Sequence, residues 1–252
     1  MRPPVRFITF GISHYCEKAR WALDWHHIPY EEECWPPGPH ILLAKRVGAR
    51  KSALPILLLP DGMIQGSGAV IDWAEQETRT PDRPLTIPGT EEIEERADKV
   101  LGVHVRRLAY AHCLPKHPHV VKPALFHNVA GASRLIGNLM WPLTRRLMIK
   151  GFKITPEAPA QSRDIIETEI DWLDGLLADG RPFLLGDRFS RADVTVASLL
   201  SPFVRPPHLP LYTEMNLPKP LEDNLQEWNE RPVMKWATQL YNTHRGFKIE
   251  AA

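Results

Sequence analysis

The sequence has few cysteines, no long apolar run and almost no net charge, and each shortage excludes a class of protein. The three cysteines, Cys16, Cys34 and Cys113, are irregularly spaced, which suits neither a disulfide framework nor a zinc site. A membrane-spanning helix needs an apolar run of about 18 residues, and no apolar run in the sequence approaches this length. The net charge is only +1, whereas nucleic-acid-binding proteins normally carry a marked basic excess. We therefore expect a reducing compartment, no integral membrane segment and no nucleic acid partner.

The N-terminal segment, MRPPVRFITF, also lacks the apolar core and the small-residue cleavage site of a secretory signal. A cytoplasmic protein is the simplest interpretation. The 252 residues, 43 % hydrophobic and 24 % charged, have the composition of a globular protein with room for one large or two ordinary domains. The 25 prolines gather in short clusters, which indicate connections because proline interrupts helices.

The first part of the chain alternates strand and helix patterns. VRFITF, residues 5–10, is rich in the β-branched and aromatic residues typical of a strand. From Ser13 to about His26 the apolar residues recur at helical spacing. IPYEEECW, residues 28–35, then alternates as a second strand. Together these segments predict a β-α-β unit.

A hairpin and a helix are predicted next. LPILLLPDGMIQG, residues 54–66, has two short apolar runs around a Pro-Asp-Gly turn. Residues 67–77 have helical spacing, with Ser67 as the expected N-cap. The order β-α-β followed by β-β-α is that of an α/β thioredoxin-like domain, which we predict for residues 1–78.

The rest of the chain predicts a linker and helices. Residues 79–90 are Pro-rich and polar, which is typical of a linker. Residues 91–252 have several helical patterns and no convincing strand pattern, so they predict an all-α helical-bundle domain. In FLLGDRFSRADVTVASLL, Ser190 and Asp193 have the spacing of a capping box at a helix start, with Asp193 replacing the usual Glu or Gln.

Several landmarks occur in the order found in the glutathione transferase superfamily. SHYCEKARWAL, which begins at Ser13, is similar to the active-site turn and first helix of that family. LPIL resembles its signature in which the proline is cis, and GSGAVIDW is similar to the helix start that follows. LLGDRFSRADVTVAS resembles its C-terminal capping motif and LQEWNERPVMKW its terminal helix. The resemblance covers nearly the whole chain and is weakest from about residue 103 to 157.

The resemblance implies a glutathione transferase of the detoxification type that conjugates glutathione to an apolar electrophile. It implies glutathione as a co-substrate, no metal, no redox cofactor and a homodimer. The residues expected to bind glutathione are Leu54, Pro55, Gln65, Gly66, Ser67 and Lys51, with Arg50 as a further candidate.

Ser13 and Cys16 occupy the two chemically interesting positions of the first turn. A hydroxyl beside the positive end of a helix dipole stabilises a thiolate, so Ser13 is expected to activate glutathione; a simple N-cap is the alternative. Cys16 could instead be the nucleophile of thiol-disulfide exchange. By resemblance to Cys-x-x-Cys turns it holds the second, underlying position, so we favour a buried apolar role.

The remaining glutathione contacts follow from the resemblance. The Leu54-Pro55 bond is expected to be cis, so that the Leu54 backbone pairs with the cysteinyl part of glutathione; a strand-edge proline is the alternative. Ser67 would offer donors to the γ-glutamyl carboxylate. The family has an acidic residue where this chain has Gly66, so Gln65 could substitute through its carbonyl. Gly66 also leaves open a non-catalytic ligand-binding or scaffold protein.

Other polar residues near these motifs have simpler interpretations. Arg50 and Lys51 could contact the glycyl carboxylate, but solvated surface charge explains them equally well. Lys18 and Arg20 are interpreted as exposed charges. Four histidines lie among prolines without a carboxylate or cysteine partner, so we expect no metal site. They are His112, His117, His119 and His127.

The segment ASRLIGNLMWPLTRRLMIKGFK, residues 132–153, combines an apolar stripe with basic residues. Helices that lie on a membrane surface have this combination. We favour a core-facing helix that also lines an apolar acceptor cleft, because a helical domain needs such a stripe to pack. The stripe consists of Leu135, Ile136, Leu139, Met140, Leu143 and Leu147, and the basic residues are Arg145, Arg146, Lys150 and Lys153.

Overall fold

A computed structural model of the chain describes residues 5–78 and 82–245. Residues 79–81 of the predicted linker lie outside the described residues. The chain divides into two compact units that each combine separate parts of the sequence. The first unit comprises the residues up to Arg83 with Lys122–Met148, and the second comprises Pro84–Val121 with Ile149–Arg245. The domain boundaries expected from the sequence stay a prediction.

The first unit contains a four-stranded mixed sheet in the order β2-β1-β3-β4. The first two strands are parallel, and the last two form an antiparallel hairpin in which β3 also pairs antiparallel with β1. This arrangement confirms the predicted thioredoxin-like domain. The strands are β1 (Val5–Thr9), β2 (Tyr30–Cys34), β3 (Ile56–Leu59) and β4 (Gly62–Gln65), and the helices beside them are α1 (His14–Trp25), α2 (His40–Arg46) and α3 (Ser67–Glu77).

Helices cover both faces of this sheet. Phe7 and Leu57 pack with Val70 of α3 on one face. Ile8, the next residue of β1, packs with Ala44 of α2 on the other face. Because successive strand residues point to opposite faces, the short apolar runs of β1 and β3 are buried on both sides. This burial fixes the strand register and thereby the position of each turn at the sheet edge.

Helices follow the sheet along the rest of the described chain, which confirms the predicted helical C-terminal domain. Helix α4 (Thr90–Arg96) continues through a π-helical segment, Ala97–Leu101, into α5 (Gly102–Cys113). The remaining helices are α6 (Pro118–Leu125), α7 (Gly131–Gly151), α8 (Ala158–Leu177), α9 (Arg191–Val204), α10 (Pro210–Thr213), α11 (Lys219–Trp228) and α12 (Pro232–Thr243).

The start of α9 confirms the predicted capping box. The Asp193 carboxylate accepts hydrogen bonds from the Ser190 backbone N–H at 2.7 Å and from the Leu184 backbone N–H at 2.8 Å. Burial raises the pKa of Asp193 to about 6. Because these bonds satisfy backbone donors at a buried helix end, the motif has a structural role.

Helix α7 contradicts the expectation of a core-facing leucine stripe. Its buried positions are Gly137, Trp141 and Thr144. A Cβ atom added to Gly137 would lie only 2.8 Å from Pro36 and 2.7 Å from Phe126, so this face of the helix packs closely at Gly137 because glycine has no side chain. The opposite face is exposed. It carries Leu135, Ile136, Leu139, Leu143 and Leu147.

Candidate functional site

Three segments of the first unit meet at one edge of the sheet. Strand β1 ends at Thr9 and leads to Ser13 at the start of α1. Antiparallel pairing places Ile56, the first residue of β3, opposite Ile8 near the end of β1. Pairing within the hairpin places Gln65, the last residue of β4, opposite Ile56. The turn before α1, the segment before β3 and the turn before α3 therefore lie side by side.

This edge has the electrostatic character of an anion site. Helices α1 and α3 both begin there and pack against each other. The first turn of a helix has backbone N–H groups without intrahelical partners and the positive end of the helix dipole. Two such ends at one edge suit a ligand with two separate anionic groups.

Ser13 caps α1 with its side-chain hydroxyl. Its Oγ accepts a hydrogen bond from the Cys16 backbone N–H at 3.3 Å, and its own backbone N–H donates to the Phe10 carbonyl at 3.1 Å. A hydroxyl group has one donor and two acceptor positions, so accepting this bond does not use the O–H. The structure confirms that Ser13 is the N-cap, and this role is compatible with catalysis.

Cys16 lies beneath the turn and is fully buried. It packs with Ile8, Leu54 and Ile56. Burial raises the pKa of its thiol to about 12, although a hydrogen bond between the Ser13 and Cys16 side chains acts in the opposite direction. Because a thiolate is the reactive form, this position does not favour a nucleophile.

The Leu54-Pro55 peptide bond is cis, as the family resemblance implied. Leu54 is buried in the same cluster as Cys16. The Pro55 carbonyl accepts a hydrogen bond from the Gly66 backbone N–H at 2.9 Å. This hydrogen bond links the segment before β3 to the turn before α3.

Gln65 has a positioning role that the sequence did not reveal. Its side-chain Nε2 donates to the Lys51 carbonyl at 2.6 Å and to the Ala53 carbonyl at 2.8 Å, and its Oε1 accepts from the Lys51 backbone N–H at 3.4 Å. These bonds attach the loop before Leu54 to the end of β4. The side-chain carbonyl predicted to substitute for an acidic residue thus already contacts backbone, and the side chains of Lys51 and Arg50 are exposed.

The prediction that Ser67 is the N-cap of α3 is wrong. The N-cap is Gly66, with φ of 102° and ψ of 146°, and Ser67 is the first helical residue. A positive φ is accessible to glycine and strained for residues with a Cβ, so an acidic side chain at position 66 would strain the turn. Ser67 is buried in the first turn of α3, where its backbone N–H belongs to the positive helix end.

A buried ion cluster lies between α1 and β2, and it corrects the interpretation of two exposed charges. Arg20 pairs with Glu32 at 2.6 Å and also with Glu17, and the Thr9 hydroxyl donates to Glu32 at 2.7 Å. Burial alone would lower the pKa of Arg20, but Glu32 and Glu17 raise it well above its usual value. Lys18 is fully buried as well. The cluster therefore joins the first helix to the sheet.

His40, the first residue of α2, makes the stability of this region depend on pH. Its Nδ1 accepts a hydrogen bond from the Gly38 backbone N–H at 3.0 Å. Burial lowers its pKa from the ordinary 6.5 to about 4. The unfolded chain therefore binds more protons than the folded chain between these two values, so acidification through this window favours unfolding.

We expect His40 to contribute a loss of about 2 kcal/mol in the free energy of unfolding between pH 7 and pH 5. Urea denaturation of the native chain and of His40→Gln at both pH values measures this contribution. The variant should lose less stability than the native chain on acidification. Equal losses in the two proteins would contradict the assignment to His40.

Two absences hold for residues 5–78 and 82–245. In those ranges no group of three or more His, Cys, Asp or Glu side chains is placed to hold a metal ion. The described helices include none with the length and apolar character to cross a membrane.

Two family models match the chain. Glutathione S-transferase, N-terminal domain, matches residues 7–82, and Glutathione S-transferase, C-terminal domain, matches residues 156–231. Together they cover more than half of the chain, and the first includes the sheet edge with Ser13 and the Leu54-Pro55 bond. No curated protein matches the chain.

Solved structures similar to the chain are also glutathione transferases. Glutathione transferase GSTFuA3 from Phanerochaete chrysosporium has a TM-score of 0.65 and 17 % identity, over 98 % of this chain and 99 % of that chain. Glutathione S-transferase CsGST63524 of Ceriporiopsis subvermispora, in complex with glutathione, has a TM-score of 0.64 and 18 % identity, over 97 % and 99 %. CsGST83044 of the same organism, also in complex with glutathione, has a TM-score of 0.56 and 16 % identity, over 98 % and 100 %. At these identities the likeness shows the fold.

Proposed function

Because the chain belongs to the glutathione transferase superfamily, we propose that it binds glutathione at this sheet edge and conjugates it to an apolar electrophile. The observation that carries the proposal is the meeting of Ser13, the segment at Leu54 before β3 and the start of α3 at one edge of the sheet. Two similar solved structures hold glutathione, which supports the choice of ligand.

Ser13 is the proposed catalytic residue. A free thiol has a pKa of about 8.5 and is mostly protonated at neutral pH. The Ser13 O–H would donate a hydrogen bond to the glutathione sulfur, and the positive end of α1 would further favour the anion. The thiol proton passes to solvent, the thiolate forms a carbon–sulfur bond with the electrophile, and the leaving group departs with its electron pair. The buried Cys16 has no role in this sequence.

The peptide part of glutathione would be held by backbone groups. The N–H and C=O of Leu54 would pair with its cysteinyl residue as an added strand. The first turn of α3, at Ser67, would bind the γ-glutamyl carboxylate, and Gln65 would hold the loop in place. Gly66 supplies no carboxylate for the ammonium group, so we propose that the γ-glutamyl end is held through its carboxylate. Lys51 is the proposed partner of the glycyl carboxylate.

Three further features belong to the same proposal through family membership. The acceptor is an apolar small molecule, the enzyme works in the cytoplasm, and two chains form a homodimer. No metal or redox cofactor enters the proposed reaction.

Glutathione binding and conjugation together test the proposed function. Glutathione at ten times its dissociation constant should raise the free energy of unfolding by about 1.4 kcal/mol and the unfolding temperature by a few degrees. Free cysteine at the same concentration controls for reduction of the protein. Conjugation of a generic aryl halide should accompany binding. A folded chain without a glutathione-dependent shift would favour a non-catalytic scaffold, and a shift without conjugation would limit the function to ligand binding.

A further inference from the structure

Helix α7 presents an exposed row of leucines that we name the leucine stripe: Leu135, Leu139, Leu143 and Leu147, with Ile136 beside them. These residues are spaced four apart, so they lie on one side of the helix. Leu139 is 83 % exposed and Leu135 is 74 % exposed. Large contiguous apolar patches on a protein surface normally mark a binding site. The buried side, at Gly137 and Trp141, attaches the helix to the first unit.

The charged residues of α7 and of the chain on either side of it in the sequence are all basic. The sequence has no acidic residue between Asp98 and Glu157, a range that contains the whole of α7. The helix itself carries Arg134, Arg145, Arg146 and Lys150. Because the chain as a whole has a net charge of only +1, this concentration of positive charge is local.

A second acid-free range occurs in the unit that contains the leucine stripe. It runs from Glu33 to Asp61 and contains α2. That helix exposes Ile41 and Leu42 and ends in Lys45 and Arg46. The five exposed residues of α7 and this pair are the exposed large hydrophobic residues of the described chain, and all of them lie where the sequence has basic but no acidic residues.

We propose that the leucine stripe docks on an anionic lipid surface, with α7 lying in the plane of the interface. A helix with one apolar side and basic residues but no acidic ones has the character of interfacial helices. Negatively charged lipid attracts each nearby Lys or Arg. Arg146 is adjacent to Leu147, and its long side chain reaches the headgroups while its methylene groups cover apolar surface.

The charge disfavours a second copy of the chain on this surface. A symmetric dimer through the leucine stripe would place α7 of one copy against α7 of the other. Both helices carry positive charge and no acidic residue to offset it, so like charges would meet. A lipid surface supplies the missing negative charge. The proposed homodimer would then use another surface.

Vesicle flotation tests this proposal with the full chain. We expect binding to vesicles of phosphatidylcholine with about 30 % phosphatidylserine, little binding to phosphatidylcholine alone, and release by salt, which screens surface charge. Arg146→Gln with Lys150→Gln should weaken binding about fivefold for each charge removed. Leu139→Glu with Leu143→Glu should abolish it.

A charge-matched control distinguishes loss of the leucine stripe from a change in net charge. Gln226→Glu with Gln239→Glu adds the same charge at exposed positions of α11 and α12, and it should bind like the native chain. Urea denaturation should show that all three double variants fold. The proposal is overturned if the native chain ignores anionic vesicles, or if the Leu139→Glu and Leu143→Glu variant still binds them. It is equally overturned if light scattering shows a native dimer that this variant converts to a monomer, because a second copy would then cover the stripe.

Discussion

Replacing Ser13 with alanine is expected to lower kcat/KM for conjugation about 100-fold, the effect of removing one donor from a developing or bound anion. The hydroxyl that caps α1 lies at the sheet edge where the glutathione sulfur is proposed to bind. Without it the bound thiol should ionise at higher pH, so the activity of the variant should rise more steeply with pH. Steady-state kinetics over a pH series measures both effects.

Two further variants serve as controls for Ser13→Ala. Ser13→Thr keeps both the hydroxyl and a favoured cap, so it should retain most of the activity. Ser67→Ala should raise the KM for glutathione and leave the pH profile in place, because Ser67 is proposed to contact only the γ-glutamyl end. Loss of the Ser13 cap costs about 1 kcal/mol of stability, which denaturation measures separately. Unchanged activity in a folded Ser13→Ala protein would remove Ser13 from the mechanism.

Replacing Arg20 with methionine is expected to lower the free energy of unfolding by about 3 to 5 kcal/mol, because it leaves buried acidic groups without their cation. Arg20 is only 12 % exposed and pairs with both Glu17 and Glu32. The variant keeps the apolar stem, so the effect comes mainly from the charge. Urea denaturation at neutral pH provides the measurement.

Arg6 provides the matched control on the neighbouring strand. It pairs with Glu33 at 2.5 Å, but the two side chains are 54 % and 45 % exposed. Exposed ion pairs contribute about 1 kcal/mol or less, so Arg6→Met should be nearly neutral. Similar losses in Arg6→Met and Arg20→Met would contradict the importance of burial in the Arg20 cluster.

The fold was predictable where local patterns and burial agree. The alternating strands, the Pro-Asp-Gly turn and the spacing of Ser190 and Asp193 each carry a local signal that the packing preserves. The cis bond at Leu54-Pro55 came from the family resemblance, since most X-Pro bonds are trans. The sheet edge followed once strand order was known, because the turns at one end of paired strands are neighbours.

The errors arose where distant parts of the chain decide the outcome. The period of α7 shows that an apolar stripe exists, but the close packing of Gly137 against Pro36 decides which side is buried. In the sequence Arg20 has the pattern of an ordinary charged residue on a helix, whereas in the structure β2 places Glu32 against it. Gln65 binds backbone in a loop more than ten residues away. No local pattern contains these contacts.

A crystal structure of the chain soaked with glutathione tests the proposed site most directly. We expect the sulfur within hydrogen-bond reach of the Ser13 hydroxyl, the cysteinyl backbone paired with Leu54 and the γ-glutamyl carboxylate at the start of α3. A sulfur that lies away from Ser13, or glutathione bound at another edge of the sheet, would contradict the proposed function.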